Sequence, residues 1–600
     1  MHIKNLAEHK YNKVQKTTNK TYKILSLYLL IFLGFFLFLG VMLSSAVKER
    51  NIPSLYASNN STAKRGSIIS ADGFHIATTK KLYKAMVDIR YIDPQKENLF
   101  IELFSIYSGI DKKKIIRKLH KRRGNVVLSY SISEKRAQYL KRLAYELRRY
   151  KVFVERVNPK NGRRSLHGLS ILESGETRVY PYGDLLTPII GYPKKSEKNG
   201  YTLIEGVKGL EKKFNAELSA INDGFSRGKR DVNSYIILNK ESFTKAKKDG
   251  LDIKLTIPLS LQIKIEKMLT RMKKQIGAKQ IICSIIDIKS TNVLALASSN
   301  RYLPKNIKRK DYSSLNSAMI EYSFEPGSVI KPIVFSLLLD KNRINPYDMV
   351  NGYNGRFKLG KKIIRDEHRF DWLSAENVII HSSNIGIVQL SRKLSSIEFY
   401  EGLKDFGFSR KSTYDLIYEK IGSIPGIKLI DNEVYKGTLS YGYGMHANLM
   451  QLMRAYSVFN NNGKIIYPRI VDTFIDSTSK EIKIPSRQQI QVIKQSTAQK
   501  MKEILIKTVN KGTGRKTKTE GLIIGGKTGT AHIVENGVYV KKYNTAFMGF
   551  VNDKTHKYTM GVVVIQPTSS QFASKTAVPV FKQAVDILVE DGYLKPNIVK

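Results

Sequence analysis

The 600-residue chain contains one cysteine, Cys283, and one tryptophan. A single cysteine excludes an intrachain disulfide and a zinc site built from cysteines. Cys283 lies in the apolar run IICSIIDI, where a small hydrophobic residue buried in a strand is the ordinary outcome. Acidic residues are also scarce: 51 Asp and Glu stand against 101 Lys and Arg, a net charge of +50. The basic residues are spread from end to end, and no nucleic-acid-binding motif accompanies them. The charge therefore reads as a compositional bias, with no nucleic-acid partner expected. Attraction to an anionic membrane or wall surface is the weaker alternative. No HExxH, Walker A or GxGxxG stretch stands in the context that metal, nucleotide or dinucleotide chemistry requires. What is present, mixed charge with many Tyr and Phe, excludes a disordered chain, and 600 residues imply two or three folded units.

From Ile24 to Val47 there is no charged residue. As a helix this run is ~36 Å long, more than the ~30 Å hydrocarbon core of a bilayer. Ser44 and Ala46 offer the small-x-small pattern of a signal-peptidase site, but the run exceeds the ~7–15 residues of a signal core. An uncleaved anchor over 24–47 is expected, after a tail of residues 1–23. Lys4, Lys10, Lys13, Lys16, Lys20 and Lys23 precede the run against Glu8 alone, which places the tail in the cytoplasm and the rest outside. That disfavours ATP, cytosolic redox cofactors and DNA, and no cofactor is expected.

Arg50 to about Ala63 is polar and reads as a linker. Residues 48–250 mix short strands with the basic helical stretch KKKIIRKLHKRRG and with SEKRAQYLKRLAYELRRYKVFVERV, an amphipathic helix followed by a strand. A strand then leads into a helix near Pro258, which opens a second domain over 251–600. That domain begins with the strand-like runs IICSIIDI and NVLALAS and is helical to about Asn460. It returns to strands at GLIIGGKTGTAHIV, NTAFMGFVN and YTMGVVVIQP and closes on an amphipathic helix. This is an α+β layout with one sheet made from both ends of the domain.

The stretch FEPGSVIKPIVF places Ser328 and Lys331 one turn apart at the start of an apolar helix. A lysine pressed into an apolar wall loses its proton and can act as a base toward a serine. Other SxxK triads begin at Ser45, Ser61, Ser226, Ser242 and Ser477, but only Ser328 has Pro326-Gly327 before it and an apolar helix after it. HSSNIGIVQL then supplies Ser382 and Asn384, and GGKTGTA supplies Lys527, Thr528, Gly529 and Thr530 inside a strand. Each piece alone is bland: a cap serine, a turn asparagine, a surface lysine. The ordered set meets the needs of acyl transfer. Ser328 attacks, Lys331 takes its proton, Ser382 relays that proton and Asn384 fixes a substrate amide. Lys527 supplies positive charge, which helps keep Lys331 neutral and attracts a carboxylate. Gly529 lets a substrate backbone lie on the strand, and Thr528 and Thr530 offer hydroxyls to a terminal carboxylate. The backbone N–H groups of Ser328 and Thr530 form the oxyanion hole.

This SxxK, SxN, KTG set resembles the penicillin-binding-protein and serine β-lactamase superfamily. KRGSIISADG resembles the family's RGxIxDxxG opening, with Ser70 where an acid is usual. TRVYPYGDLLTPIIGY and GVKGLEKKFNAEL resemble its R-x-Y-P-x-G and G-x-x-G-L-E segments. LSYGYGMHANLMQL resembles the septal, FtsI-like branch, with Asn448 where a threonine is usual. The pattern is similar to class B penicillin-binding proteins: one N-terminal transmembrane helix, a mixed α/β non-catalytic pedestal (dimerisation-like) and an α+β transpeptidase domain. The resemblance implies D,D-transpeptidation of peptidoglycan stem peptides through an acyl-enzyme on Ser328, acylation by β-lactams, and no metal or cofactor. It also implies a place in the bacterial cytoplasmic (inner) membrane, with the catalytic domain outside, and division partners that include a SEDS-type glycan polymerase. A lateral-wall transpeptidase, an anchored β-lactamase and a β-lactam-binding scaffold are the alternatives.

Overall fold

The computed structural model describes residues 2–47, 55–120, 124–157, 164–198, 201–231 and 235–597. No glycine or proline occurs before Gly34, so nothing interrupts helix formation at the N-terminus. A single helix spans His2–Val47, so residues 2–23 of the expected tail are helical as well. Among the described residues it is the one helix long and apolar enough to cross a membrane. Residues 48–54 of the expected linker lie outside the described residues, and its remainder is not irregular. Tyr56–Ser61 is a strand in a three-stranded sheet with Gly224–Lys229 and Phe243–Lys245. Its partners are distant in sequence, and a polar Asn/Ser composition gives no sign of such pairing. Met1–Asn60 and Phe225–Ala246 form one compact unit.

The second unit comprises Ser61–Gly224 and Lys247–Lys600. Its larger sheet disregards the boundary expected at 250. Asp252–Leu255 lies parallel to Ile68–Ile69 on one side and antiparallel to Val471–Ile475 on the other. The sheet continues through His75–Asp88, Ser170–Val179, Tyr201–Gly206 and Pro193–Lys198. Helix Glu134–Arg149 forms where the amphipathic pattern places it and buries Ala137, Leu140, Leu143 and Leu147. The strand expected after it shrinks to Arg156–Val157. The basic stretch is helical over Lys112–His120, and its residues 121–123 lie outside the described residues.

Three motifs far apart in sequence meet at one buried ion cluster. Arg65 Nη2 lies 2.7 Å and Arg178 Nε 2.6 Å from the two oxygens of Glu211, whose side chain is 0% exposed. Arg178 Nη1 also donates to the Gly66 carbonyl at 2.6 Å and to Thr79 Oγ1 at 2.8 Å. The two departures from the family pattern are absorbed locally. Beside Ser70, the Asp72 carboxylate accepts Ser70 Oγ at 2.6 Å and caps helix Leu259–Ile276 through Leu259 N at 2.8 Å and Ser260 N at 3.1 Å. Asn448 caps helix Leu449–Asn460 in a reciprocal box with Gln451, a position where Asn serves as well as Thr.

The smaller sheet is fully antiparallel, in the order Val293–Ser298, Gln280–Asp287, Lys557–Ile565, Val538–Asn552, Ile523–Glu535. Both ends of the domain thus supply one sheet, as expected. Helices Leu259–Ile276 and Ala577–Glu590 pack in one hydrophobic cluster with it, and a larger cluster holds helix Lys331–Asp340, every residue of which through Leu339 is buried. Cys283 is wholly buried in its strand, and burial pushes its thiol up to about 12, so it is inert.

Candidate active site

The nucleophile turn is shaped by close backbone contact. Gly327 has φ +59, and a Cβ there would lie 2.8 Å from the Thr530 carbonyl oxygen. Gly442, at φ +89, would place a Cβ 2.1 Å from the Gly327 carbonyl oxygen. Both positions demand glycine, and the Tyr441–Gly444 run thereby gains a packing role beneath the turn. Gly327–Ile330 is a 3₁₀ turn that passes into helix Lys331–Asp340, with Pro332 in its first turn. In 3₁₀ geometry residues three apart eclipse, so Ser328 and Lys331 share a side. Ser328 is partly exposed at the mouth of a cavity of about 630 Å³, whereas Lys331 is 0% exposed behind it.

The other predicted residues converge there. Lys331 Nζ donates to the Ser382 carbonyl at 2.6 Å, to Asn384 Oδ1 at 2.6 Å and to Ser382 Oγ at 3.3 Å. Lys527 Nζ donates to Ser382 Oγ at 2.8 Å and to the Thr528 carbonyl at 3.0 Å. Two lysines thus occupy the lone pairs of one hydroxyl, which leaves its own hydrogen free to point elsewhere. Ser382 has φ +62, a strained conformation for a non-glycine residue. Thr528 and Thr530 line the cavity with Ser328, Ser382 and Asn384. The close approach of Gly327 to the Thr530 carbonyl packs the nucleophile turn against the strand that carries Thr530.

Two expectations change. Gly529 does not face the cleft: a Cβ there would meet Val329 Cγ1 at 2.8 Å and the Pro326 oxygen at 3.0 Å, so the glycine seats the strand against the nucleophile turn. Lys527 was expected as a standing cation. It is 0% exposed, and burial, then the neighbouring Lys331, holds its amine well below the usual lysine range. Burial also brings Lys331 down to about 7, against the opposing pull of Asp366 and Glu367. Both shifts favour the neutral amine.

Several residues around the site escaped sequence reasoning. Asp366 accepts Ser383 Oγ at 2.5 Å, Asn384 N at 2.5 Å and Ile385 N at 3.1 Å, and so fixes the start of helix Asn384–Ser391. Glu367 lines the cavity, and its charge favours the protonated form of both lysines. Thr513 Oγ1 lies 2.7 Å from Thr528 Oγ1. Glu325 accepts Gly444 N at 2.8 Å and Tyr539 Oη at 3.1 Å, which ties the nucleophile turn to two walls of the cleft. Their only signal lies in contacts across long stretches of chain.

A fold with a serine at a helix start, a buried lysine pair and a threonine-bearing edge strand defines a class of serine acyl-transfer proteins. A family model described as penicillin binding protein transpeptidase domain matches residues 281–586, and one described as penicillin-binding protein dimerisation domain matches residues 60–255. The chain belongs to the penicillin-binding-protein transpeptidase family, in its class B arrangement. The peptidoglycan D,D-transpeptidase FtsI of Buchnera aphidicola subsp. Schizaphis graminum is 26% identical over 452 residues, 74% of this chain and 75% of that protein. Stage V sporulation protein D of Bacillus subtilis is 26% identical over 584 residues, 93% of this chain and 82% of that protein. The crystal structure of penicillin binding protein 3 from Mycobacterium tuberculosis complexed with ampicillin superposes with a TM-score of 0.64 at 20% identity, covering 90% of this chain and 98% of that one.

Proposed function

We propose that this chain is a peptidoglycan D,D-transpeptidase that cross-links stem peptides through an ester on Ser328. The observation that carries this reading is the convergence of Ser328, Lys331, Ser382, Asn384 and Lys527 on one cleft. Lys331, neutral above pH about 7, takes the Ser328 proton as Oγ attacks the penultimate D-Ala carbonyl. The backbone N–H groups of Ser328 and Thr530 hold the oxyanion, each worth about 3 kcal/mol of barrier. The D-Ala–D-Ala amide breaks, and the proton passes by way of Ser382 Oγ to the leaving amine, so free D-Ala departs. An amine of a neighbouring stem then attacks the ester and loses its proton, and Ser328 Oγ regains one as the cross-link forms. Thr528 and Thr530 receive the donor's terminal carboxylate, whose charge in turn favours a protonated Lys527.

A β-lactam presents the same acyl carbon and acylates Ser328 in place of the donor, in keeping with the ampicillin complex of the mycobacterial neighbour. Residues 24–47 of helix His2–Val47 anchor the chain once in the bacterial cytoplasmic membrane, tail inside and catalytic domain outside, with a pedestal drawn from residues 48–250. Use at the septum, beside a SEDS-type glycan polymerase and other division proteins, follows the likeness to FtsI. Labelling with a fluorescent penicillin followed by peptide mapping tests the centre of this reading. A stable adduct on Ser328 supports the transpeptidase, rapid hydrolysis of the adduct indicates a β-lactamase, and an adduct elsewhere overturns the assignment. Depletion that yields filaments supports septal use, whereas rounded cells place the protein in lateral-wall growth.

A further inference from the structure

A second cavity, of about 600 Å³, opens beside the catalytic cleft and shares Lys541, Tyr543, Gln571 and Phe572 with it. Its walls are the beginning of strand Val538–Asn552 and the segment that follows strand Lys557–Ile565. Lys541, Lys542 and Lys575 line it, and no Asp or Glu does. Lys542 pairs with Glu535 at 2.8 Å, while Lys541 and Lys575 pair with no carboxylate among the described residues. In the recess between helices Leu259–Ile276 and Ala577–Glu590, by contrast, Lys264, Lys267 and Arg271 stand beside Asp586 and Glu590. A recess without acids is not in itself unusual in this chain, since Lys135 and Arg136 line another; what sets this one apart is that it opens into the catalytic cleft. The cavity beside the cleft is also preformed: Gln566 on its wall is held at φ +49, and its N–H donates to the Tyr543 carbonyl at 3.0 Å. A concave surface with unmatched cations concentrates anions.

The sheet register says which anion comes within reach. Thr530 faces Thr545, and two residues further along the same edge strand His532 faces Tyr543, which lines both cavities. A peptide extended along that strand covers the distance, roughly 7 Å, in two residues. With the terminal carboxylate at Thr528 and Thr530 and the scissile carbonyl at Ser328, a donor that runs toward His532 brings the residues just upstream of the scissile bond level with the basic recess.

We propose that the recess bounded by Lys541 and Lys575 is a subsite for a free carboxylate on the second or third residue of the donor stem peptide. The proposal rests on the transpeptidase reading and sets its substrate class: donors that keep that carboxylate ionised, over donors in which it is amidated. The test uses the full chain in detergent, with a fluorescent penicillin labelling Ser328 and four synthetic pentapeptides ending in D-Ala-D-Ala as competitors. One peptide has both carboxylates free, one is amidated at the second residue, one at the third, and one at both. The concentration that halves the labelling rate is expected to be about fivefold lower for the fully free peptide than for the doubly amidated one, as for a partly exposed ion pair. The singly amidated peptides identify which residue is read. The preference should vanish in 1 M salt, where screening falls to roughly 3 Å, and it should collapse in Lys541→Ala/Lys575→Ala and, separately, in Lys575→Gln. Equal competition by all four peptides, no competition by the free one, or a preference that persists in both variants overturns the subsite. Failure of penicillin to label Ser328 in the unaltered protein overturns the catalytic reading instead.

Discussion

Around Glu211, two arginines are matched to one carboxylate, and around Ser382, two lysines share one hydroxyl. The arginines, Glu211 and the two lysines are buried, and both clusters join distant segments of the same compact unit. In the first, opposite charges meet at 2.6 and 2.7 Å, and the remaining donors mostly find carbonyl and side-chain oxygens. No proton needs to move there. In the second, the hydrogen-bond acceptors are neutral oxygens, so burial acts on the amines unopposed by a paired carboxylate and drives them toward neutrality. A buried charge that is paired holds a fold in one arrangement, whereas a buried amine that is not paired becomes a base.

The strongest way to break the contrast is Lys331→Ala. Loss of a positioned base predicts penicillin labelling slower by about 10³-fold, with a smaller loss of melting temperature than Glu211→Ala, since neutral oxygens rather than a charge lose their partner. A melting temperature that falls sharply would place the lysine pair with the arginine cluster as a structural device. Glu211→Ala is the converse. It leaves two arginines buried without a counter-ion and is expected to cost about 3–5 kcal/mol in denaturant unfolding, while the fraction that remains folded still labels at Ser328. Next in size is the pH profile. With Lys331 near 7, its neutral form rises with pH, so labelling should speed up about tenfold from pH 6 to pH 8. A flat profile over that range would remove Lys331 as the base.

Legibility in the sequence followed the range of the interactions. The nucleophile turn, the start of helix Asn384–Ser391 and the threonine-bearing strand were readable because Pro-Gly turns, caps and strand alternation are local signals. The sheet that crosses the expected boundary was not, because Asp252–Leu255 takes its partners from Ile68–Ile69 and Val471–Ile475, neither of which adjoins it in the chain. Gly529 was given a substrate to accommodate when its actual neighbours are Val329 and Pro326. The burial that lowers the basicity of Lys527 is a property of the assembled core, invisible in the triplet KTG. For Asp72, the capping partner is a helix that begins at Leu259. Sequence showed that Ser70 stands where an acid is usual, without showing that Asp72 caps that helix.

Asp366 gives the smallest and most discriminating effect, because it acts on the lysine pair in two separable ways. Its carboxylate splints the loop that carries Ser382 and Asn384, and its charge raises the basicity of Lys331. In Asp366→Asn, one oxygen still accepts the Asn384 and Ile385 N–H groups. The new amide can donate to Ser383 Oγ, which already accepts Gly386 N at 2.8 Å. The splint is thus largely kept while the charge is lost. With that charge gone, the midpoint of the labelling profile should move below 7, so that labelling at pH 6 quickens about twofold relative to its value at pH 8. Asp366→Ala removes the splint too and should slow labelling at every pH through loss of the strained Ser382 conformation. If the Asn variant slows labelling uniformly and leaves the midpoint in place, Asp366 is only a cap, and the electrostatic setting of Lys331 belongs to burial and Glu367 alone.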